Sequence, residues 1–333
     1  MLTETLLVMV DHVGDAEQGY TLTTPSAELL TLARSLTSGD VVAVALNDAP
    51  DTAALGSHGA SVVYTPDLAG YSPRVPAVVA DAVQACIRKA GEGSSEGAGE
   101  PAAVLLVSNY RGKEVAARLA VSRASGAVVD ATRLEVSGGE LVATKSVLSG
   151  TWTTSYRITR GTPIVAVRPS SVSAEPLATP LDPVVVPVAV EYSAEAQAVS
   201  VESSTHTGTA GKVPLAEAQT VVCGGRGTGG DFSLLEELAD ALGGAVGATR
   251  VATDEGWVDR SLQIGQTGVS VAPRLYIGAG VSGAIHHTSG MASSGTIVAI
   301  VDEDDAPITQ IADLTVVGDM FEVVPQILAE LRN

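Results

Sequence analysis

The chain has 333 residues, 45% of them hydrophobic and 17% charged, which fits a folded globular protein of about two domains at ~150 residues each. Lys and Arg total 19 against 38 Asp and Glu, a formal charge of −19 that argues against a broad nucleic-acid footprint or docking on an anionic membrane. Two cysteines, Cys86 and Cys223, are too few for a disulfide framework or a four-cysteine zinc site, and both are expected as buried free thiols.

No apolar run reaches the ~18 residues that a membrane helix needs. The opening MLTETLLVMV is interrupted by Glu4 and lacks a basic flank, so it predicts a buried first strand in a soluble, cytoplasmic chain. Continuous apolar runs predict strands at 5–10, 41–46, 62–64 and 103–107, and three- and four-residue apolar steps predict helices at 26–36, 76–89 and 112–120. Strands buried on both faces and separated by helices imply a mostly parallel sheet covered by helices. Residues 91–100 read as a surface loop. Val128 and the stretches 141–147, 152–158 and 164–167 read as antiparallel additions, turning at Gly138-Gly139. Ser, Pro and Ala then dominate 169–183, and a similar stretch covers 203–214, with a strand at 184–190 between them. The domain boundary is expected inside 169–214, giving an N-terminal α/β domain at 1–203 and a C-terminal α/β domain at 204–333.

The C-terminal part carries two glycine-rich strand-to-helix turns. Gly225-Arg226-Gly227-Thr228-Gly229-Gly230 follows a strand at 220–223 and precedes a helix at 232–242. Gly278-Ala279-Gly280-Val281-Ser282-Gly283 follows 274–277 and precedes a helix at 284–291. Both satisfy G-x-G-x-x-G in strand–turn–helix context, where glycines admit a pyrophosphate and a helix N-terminus offers free N–H donors. The plainer reading is two tight loops with no ligand. Arg226 and Arg250 could pair with phosphate or stand as solvated charges, Gln266 could cap a helix, and Asp319 could cap a helix at 321–331. His286 and His287 are adjacent, so on a helix they diverge by about 100° and do not chelate one metal. No nucleophile setting and no spaced carboxylate pair is evident, so the pattern favours binding a cofactor over hydrolysis.

Five segments, VVCGGRG (221–227), VGATR (246–250), QIGQTG (263–268), GVSGAIHHTSGM (280–291) and VVGDMFEVVP (316–325), together resemble the signature series of the electron transfer flavoprotein alpha-subunit family. The resemblance implies a Rossmann-like C-terminal domain that cradles non-covalent FAD, completed by an electron transfer flavoprotein beta subunit. It also implies partner dehydrogenases as electron donors and a downstream membrane quinone oxidoreductase as acceptor, with this chain a carrier that transforms no substrate itself. Residue by residue, it implies Arg226 near phosphate and ribose, Thr249 where the family has Ser, and Arg250 beside the isoalloxazine ring. Gln263, Ile264, Gly265, Gln266 and Thr267 match the loop that reaches the flavin, with the Thr267 hydroxyl beside N5. Ser282, Gly283, Ala284 and Ile285 match the pyrophosphate turn, His286 and His287 follow it with His287 near O2, and Asp319 with Met320 matches the adenosine end. Two positions depart from the family pattern: His286 replaces a Gln, and Val301 replaces an Asn, which removes a polar contact to the adenosine part. A cation beside the ring and a donor near O2 both favour negative charge on the flavin.

Two other readings remain open from the residues alone, a nicotinamide-dependent dehydrogenase and a nucleotide-binding regulator. Against the first, Arg250 stands where a ribose-binding acid belongs, and Asp254 follows four residues later.

Overall fold

The computed structural model describes residues 1–15, 17, 19–92, 100–148, 152–204 and 213–332. Most of the expected loop at 91–100 and most of the stretch 203–214 lie outside them. The chain divides into two compact units, Met1–Lys145 with Thr153–Thr205, and Ser146–Trp152 with His206–Asn333.

In the first unit the elements run β1 (Leu6–Val10), β2 (His12–Asp15), β3 (Gly19–Leu22), α1 (Thr24–Leu36), β4 (Val41–Ala45), α2 (Thr52–Ser57), β5 (Val62–Pro66), α3 (Pro76–Glu92), β6 (Ala103–Val107) and α4 (Tyr110–Ser122). They continue with β7 (Ala127–Ala131), β8 (Arg133–Ser137), β9 (Glu140–Val147), β10 (Trp152–Arg157), β11 (Ile164–Val167), β12 (Val184–Val188) and the short α5 (Ala194–Gln197), the end of β9 and the start of β10 falling with the second unit. Among the described residues, seven parallel strands form one sheet in the order β12-β5-β4-β1-β6-β11-β7. The period-2 alternation of β1 explains its unbroken apolar sequence. Leu6, Val8 and Val10 pack with Leu29, Leu30 and Ala33 of α1, while Leu7 and Met9 pack with Val79 and Val83 of α3 and Val115 of α4. Pro76 opens α3, where its missing N–H costs no hydrogen bond.

The expected antiparallel additions need one correction. Only β8, β9 and β10 form a separate sheet, with β8 and β9 antiparallel through the Gly138-Gly139 turn. β7 and β11 instead join the main sheet, β11 pairing parallel to β6 with Ile164 opposite Val104. The physical reason is burial: β11 is four consecutive apolar residues covered on both faces, the pattern of an interior parallel strand. The small β2–β3 hairpin and α2, capped by Asp51 accepting from the Ala54 N–H at 3.0 Å, were not read from the sequence.

The second unit runs β13 (Thr220–Gly224), α6 (Ser233–Ala241), β14 (Ala245–Ala248), α7 (Arg250–Asp254), β15 (Leu275–Ala279), α8 (Ile285–Thr288), β16 (Thr296–Val301), β17 (Leu314–Val317) and α9 (Met320–Leu331). Its five strands are all parallel in the order β14-β13-β15-β16-β17, the doubly wound arrangement in which the order turns back between β13 and β15. One face packs α6 and α9 through Leu235, Leu238, Val324 and Leu328; the other holds Val221, Tyr276, Ala299 and Ile308. The helix expected at 284–291 is a single turn, Ile285–Thr288; beyond it Gly290 comes against the backbone of Gly265, where a Cβ would lie 2.5 Å from the Gly265 nitrogen.

Candidate functional site

The turns that follow β14, β13, β15 and β16 lie side by side at the carboxyl edge of the second sheet, in the order of the strands. They line a trough of about 650 Å³, within the size range of small-molecule and cofactor pockets. Thr249, Arg250, Val251 and Asp254 come from the β14 side, Arg226 and Gly227 from β13, Gly280 to Ala284 from β15, and Val301, Asp302, Glu303 and Ala306 from β16. The segment Gln263 to Thr267, with His286 and His287, closes one wall.

The first glycine turn does something other than its fingerprint suggests. The residues after β13 form a 3-10 turn, Arg226–Thr228, and α6 begins only at Ser233, so the α6 N-terminus is not part of the lining. Gly227 instead packs directly on the second turn, donating its N–H to the Gly280 carbonyl at 3.0 Å. Gly280 has φ +61°, and a Cβ there would lie 2.7 Å from the Gly227 Cα. The glycines therefore let the two turns approach each other. The donors that face the trough belong to the second turn: among the described residues no protein acceptor meets the backbone N–H of Ser282, Gly283 or Ala284.

Gln263 is 1% exposed and fixes the hydroxyl expected near the reactive part of a flavin. Its Oε1 lies 3.0 Å from Thr253 Oγ1, and its Nε2 donates to Thr267 Oγ1 at 2.9 Å, leaving the Thr267 hydroxyl proton to point elsewhere. Gln266 is held twice by α8: its N–H donates to the His286 carbonyl, and its Oε1 accepts from His286 Nδ1, both at 2.8 Å. Gly265 sits at φ +140°, with the His286 carbonyl oxygen 2.6 Å from where a Cβ would be. Arg250 is 63% exposed and is bridged by Asp254 at 3.1 Å, a pairing the sequence reading did not make. Arg226 is exposed and has no ion-pair partner among the described residues. Thr249 Oγ1 is buried without a hydrogen-bond partner.

The two histidines diverge as adjacent helical residues should. His286 faces the trough and Gln266, whereas His287 is buried against Tyr276, and burial drives its pKa down to about 4. Both cysteines are buried free thiols, each pushed up to about 12 by burial. Of the expected site residues, the trough gathers Arg226, Thr249, Arg250, Gln263, Ile264, Gly265, Gln266, Thr267, Ser282, Gly283, Ala284, His286 and His287. It leaves out three. Ile285 projects into solvent, Asp319 accepts from the Phe321 N–H at 2.8 Å as the cap of α9, and Met320 is buried with Val324 in the helix packing. Both α9 residues follow β17, the edge strand farthest from the switch point. Val251, Asp254, Val281, Asp302, Glu303 and Ala306 join the lining without having been proposed for it. Only the strand order brings the residues after β16 into line with those after β13 and β15.

A trough at the switch point of a parallel sheet, with unmet backbone donors at its centre, defines a nucleotide-cofactor-binding domain of the doubly wound class. The residues fit a flavin dinucleotide: unpaired N–H groups and Arg226 for a pyrophosphate, the orphaned Thr249 hydroxyl as a further polar contact, and an oriented Thr267 hydroxyl. Residues 214–292 match the family described as the electron transfer flavoprotein FAD-binding domain, and residues 11–204 match the electron transfer flavoprotein domain. The chain is 38% identical over 328 residues to the electron transfer flavoprotein subunit alpha of Mycobacterium leprae, covering 96% of each chain. It is 39% identical to that of Mycobacterium tuberculosis over 98% of each chain, and 32% identical to that of Bacillus subtilis over 98% of this chain and 97% of the other. The chain belongs to the electron transfer flavoprotein alpha-subunit family, and FAD is the cofactor of its C-terminal domain.

Proposed function

We propose that this chain carries electrons from partner dehydrogenases to a downstream quinone oxidoreductase at a membrane, as one half of a heterodimer with an electron transfer flavoprotein beta subunit in the cytoplasm. The observation that supports this reading is the row of unmet donors at Ser282, Gly283 and Ala284, opening on the trough beside an unpaired Arg226. Among the described residues no helix is long and apolar enough to cross a membrane.

Bound FAD supplies reversible electron exchange through its isoalloxazine ring. The protein's part is to bind and orient. The second glycine turn and Arg226 hold the pyrophosphate by charge-assisted hydrogen bonds, which are stronger than neutral ones. Thr249 gains its missing partner from the cofactor. Gln263 aims the Thr267 hydroxyl, and Arg250 brings positive charge to the β14 end of the trough, tempered by Asp254. Among the described residues no Phe, Trp or Tyr lines the trough, so none of them gives the outer face of a planar ring aromatic cover. A beta subunit supplies that cover and excludes water, strengthening every charged contact inside.

The test is coexpression with a beta subunit, followed by a visible spectrum, flavin release by acid and light scattering. The expected result is one FAD per heterodimer, all released into the supernatant. FMN, covalent flavin or a colourless complex contradicts the cofactor assignment. A stable monomer with tight FAD and full electron transfer contradicts the partner.

A further inference from the structure

A chain of polar side chains runs from α7 to the trough, and its hydrogen bonds can point in either direction. Thr253, on α7, has its hydroxyl oxygen 3.0 Å from the Arg250 carbonyl oxygen and 3.0 Å from Gln263 Oε1. The buried Gln263 reaches on, its Nε2 lying 2.9 Å from Thr267 Oγ1. Thr267 is exposed and lines the trough.

In one direction Thr253 donates to Gln263 Oε1, Nε2 donates to Thr267, and the Thr267 proton is left for an acceptor in the trough. Turning the amide over exchanges its oxygen and its nitrogen, which are close to the same size. Thr267 then donates to Oε1, Nε2 donates to Thr253, and the Thr253 proton goes to the Arg250 carbonyl. All the heavy-atom distances stay as they are. The Arg250 carbonyl makes the second direction possible, because Thr253 has one proton and two acceptors within reach of it. Thr267 thus meets a ligand as a donor in the first direction and as an acceptor in the second.

A flavin needs both. In the oxidised ring N5 carries a lone pair and accepts. Once the ring has taken two electrons from a reductant and a proton from water, N5 carries a hydrogen and donates. We propose that Gln263 is a positioning residue whose amide flips with the redox state of the flavin, switching Thr267 from donor to acceptor at N5. The proposal rests on the flavin-binding reading, with Thr267 beside N5. A fixed amide leaves two donors, Thr267 and the protonated N5, facing each other, whereas the reversible chain satisfies both forms.

The test uses the heterodimer coexpressed with a beta subunit, its glutamine side-chain carbonyls labelled with 13C. The complex is freed of FAD, then reloaded without oxygen with oxidised FAD or with FAD reduced beforehand by dithionite. Occupancy is read from the visible spectrum after air is readmitted. The infrared difference between the two loaded forms is expected to show one label-sensitive amide carbonyl band for each, both lost in Gln263→Leu. Thr253→Val separates a flip from a fixed amide even where Gln263→Leu does not fold. With a flip, the carbonyl loses its donor only in the oxidised form, so that band moves to higher frequency and the reduced band stays. Thr253→Ser is expected to keep both bands where they were. Movement of both bands in Thr253→Val, or of neither, overturns the proposal, as do bands that survive in Gln263→Leu. A complex that loads FAD yet shows no label-sensitive band overturns this proposal alone; one that takes up no FAD overturns the flavin-binding reading with it.

Discussion

Each unit is built on a parallel sheet whose order crosses over beside its first strand. In the first the crossover lies between β1 and β6, where β11 later inserts between β6 and β7 and β12 returns to the far edge; in the second it lies between β13 and β15, where the order turns back once. In the first, charged groups near that point pair with one another, although His12 Nδ1 and Asn47 Oδ1 are buried without a hydrogen-bond partner. Asp11, just after β1, pairs with Arg111 of α4, their side chains only 17% and 15% exposed, and Asn109 accepts from the Gly112 N–H at 2.8 Å to close the α4 N-terminus. Lys113 and Ser108 likewise meet Asp130, at 2.8 Å and 2.9 Å. In the second, the turn after β15 leaves its donors open and a trough stands over them. One architecture thus carries paired side chains at one crossover and open backbone donors at the other.

The comparison breaks most visibly at Gly280. Gly280→Val combines a positive φ with a backbone clash, and is expected to cost about 4 kcal/mol and abolish FAD binding, measured by denaturation and flavin content. In the first unit, Arg111→Ala leaves Asp11 partly buried and uncompensated, at a cost of about 3 kcal/mol in denaturation, with FAD affinity unchanged. A weakened FAD affinity in that variant means the Asp11–Arg111 pair is not independent of the trough.

Acid acts on the second unit through His287. Its pKa is depressed from 6.5 to about 4 by burial, so between those values the unfolded chain binds more protons than the folded one. Stability therefore rises with pH across that window and is lost as the pH falls through it, by roughly 2–3 kcal/mol. His287→Gln is expected to flatten that part of the stability–pH curve. Asp130 gives the first unit its own acid-sensitive group. Burial alone raises its pKa, but Lys113 and Ser108 outweigh that and leave it lowered, so its contribution is lost only at lower pH, below the usual carboxylate value of 3.8.

Smaller effects sharpen the contrast. Thr249→Val removes an orphaned hydroxyl, so the flavin-free protein should gain about 1 kcal/mol while FAD binding weakens by a similar amount. Arg250→Ala should leave stability within about 0.5 kcal/mol, because the Asp254 pair is exposed, yet lower the flavin midpoint potential. An unchanged potential makes Arg250 a surface charge.

The apolar runs of β1, β4 and β6 made the parallel sheet legible, because a strand covered on both faces has no polar side to confuse it. β11 was misplaced for want of length: four apolar residues do not say which neighbour they pair with. The glycine turns marked the right place, but their spacing did not tell a turn packed on phosphate from one packed on another turn. The bond from Tyr276 to His287 spans 11 positions, and that from His287 to Ile264 spans 23, so no local pattern carries them. Asp302 and Glu303 enter the lining only because β16 lies next to β15.

The strand order of the second unit has a consequence for its synthesis. β13 is the first strand made yet lies inside the sheet, with Thr220 opposite Leu275, about fifty-five residues later in the chain. At ~5–20 residues per second, the ribosome takes about 3–10 s to deliver that partner. Through that interval one side of β13, the apolar Val221-Val222-Cys223, is an unpaired edge able to join a neighbouring nascent chain. Slow translation between codons 225 and 275 should therefore raise aggregation more than the same delay placed after β16, once both sides of β13 and β15 are paired.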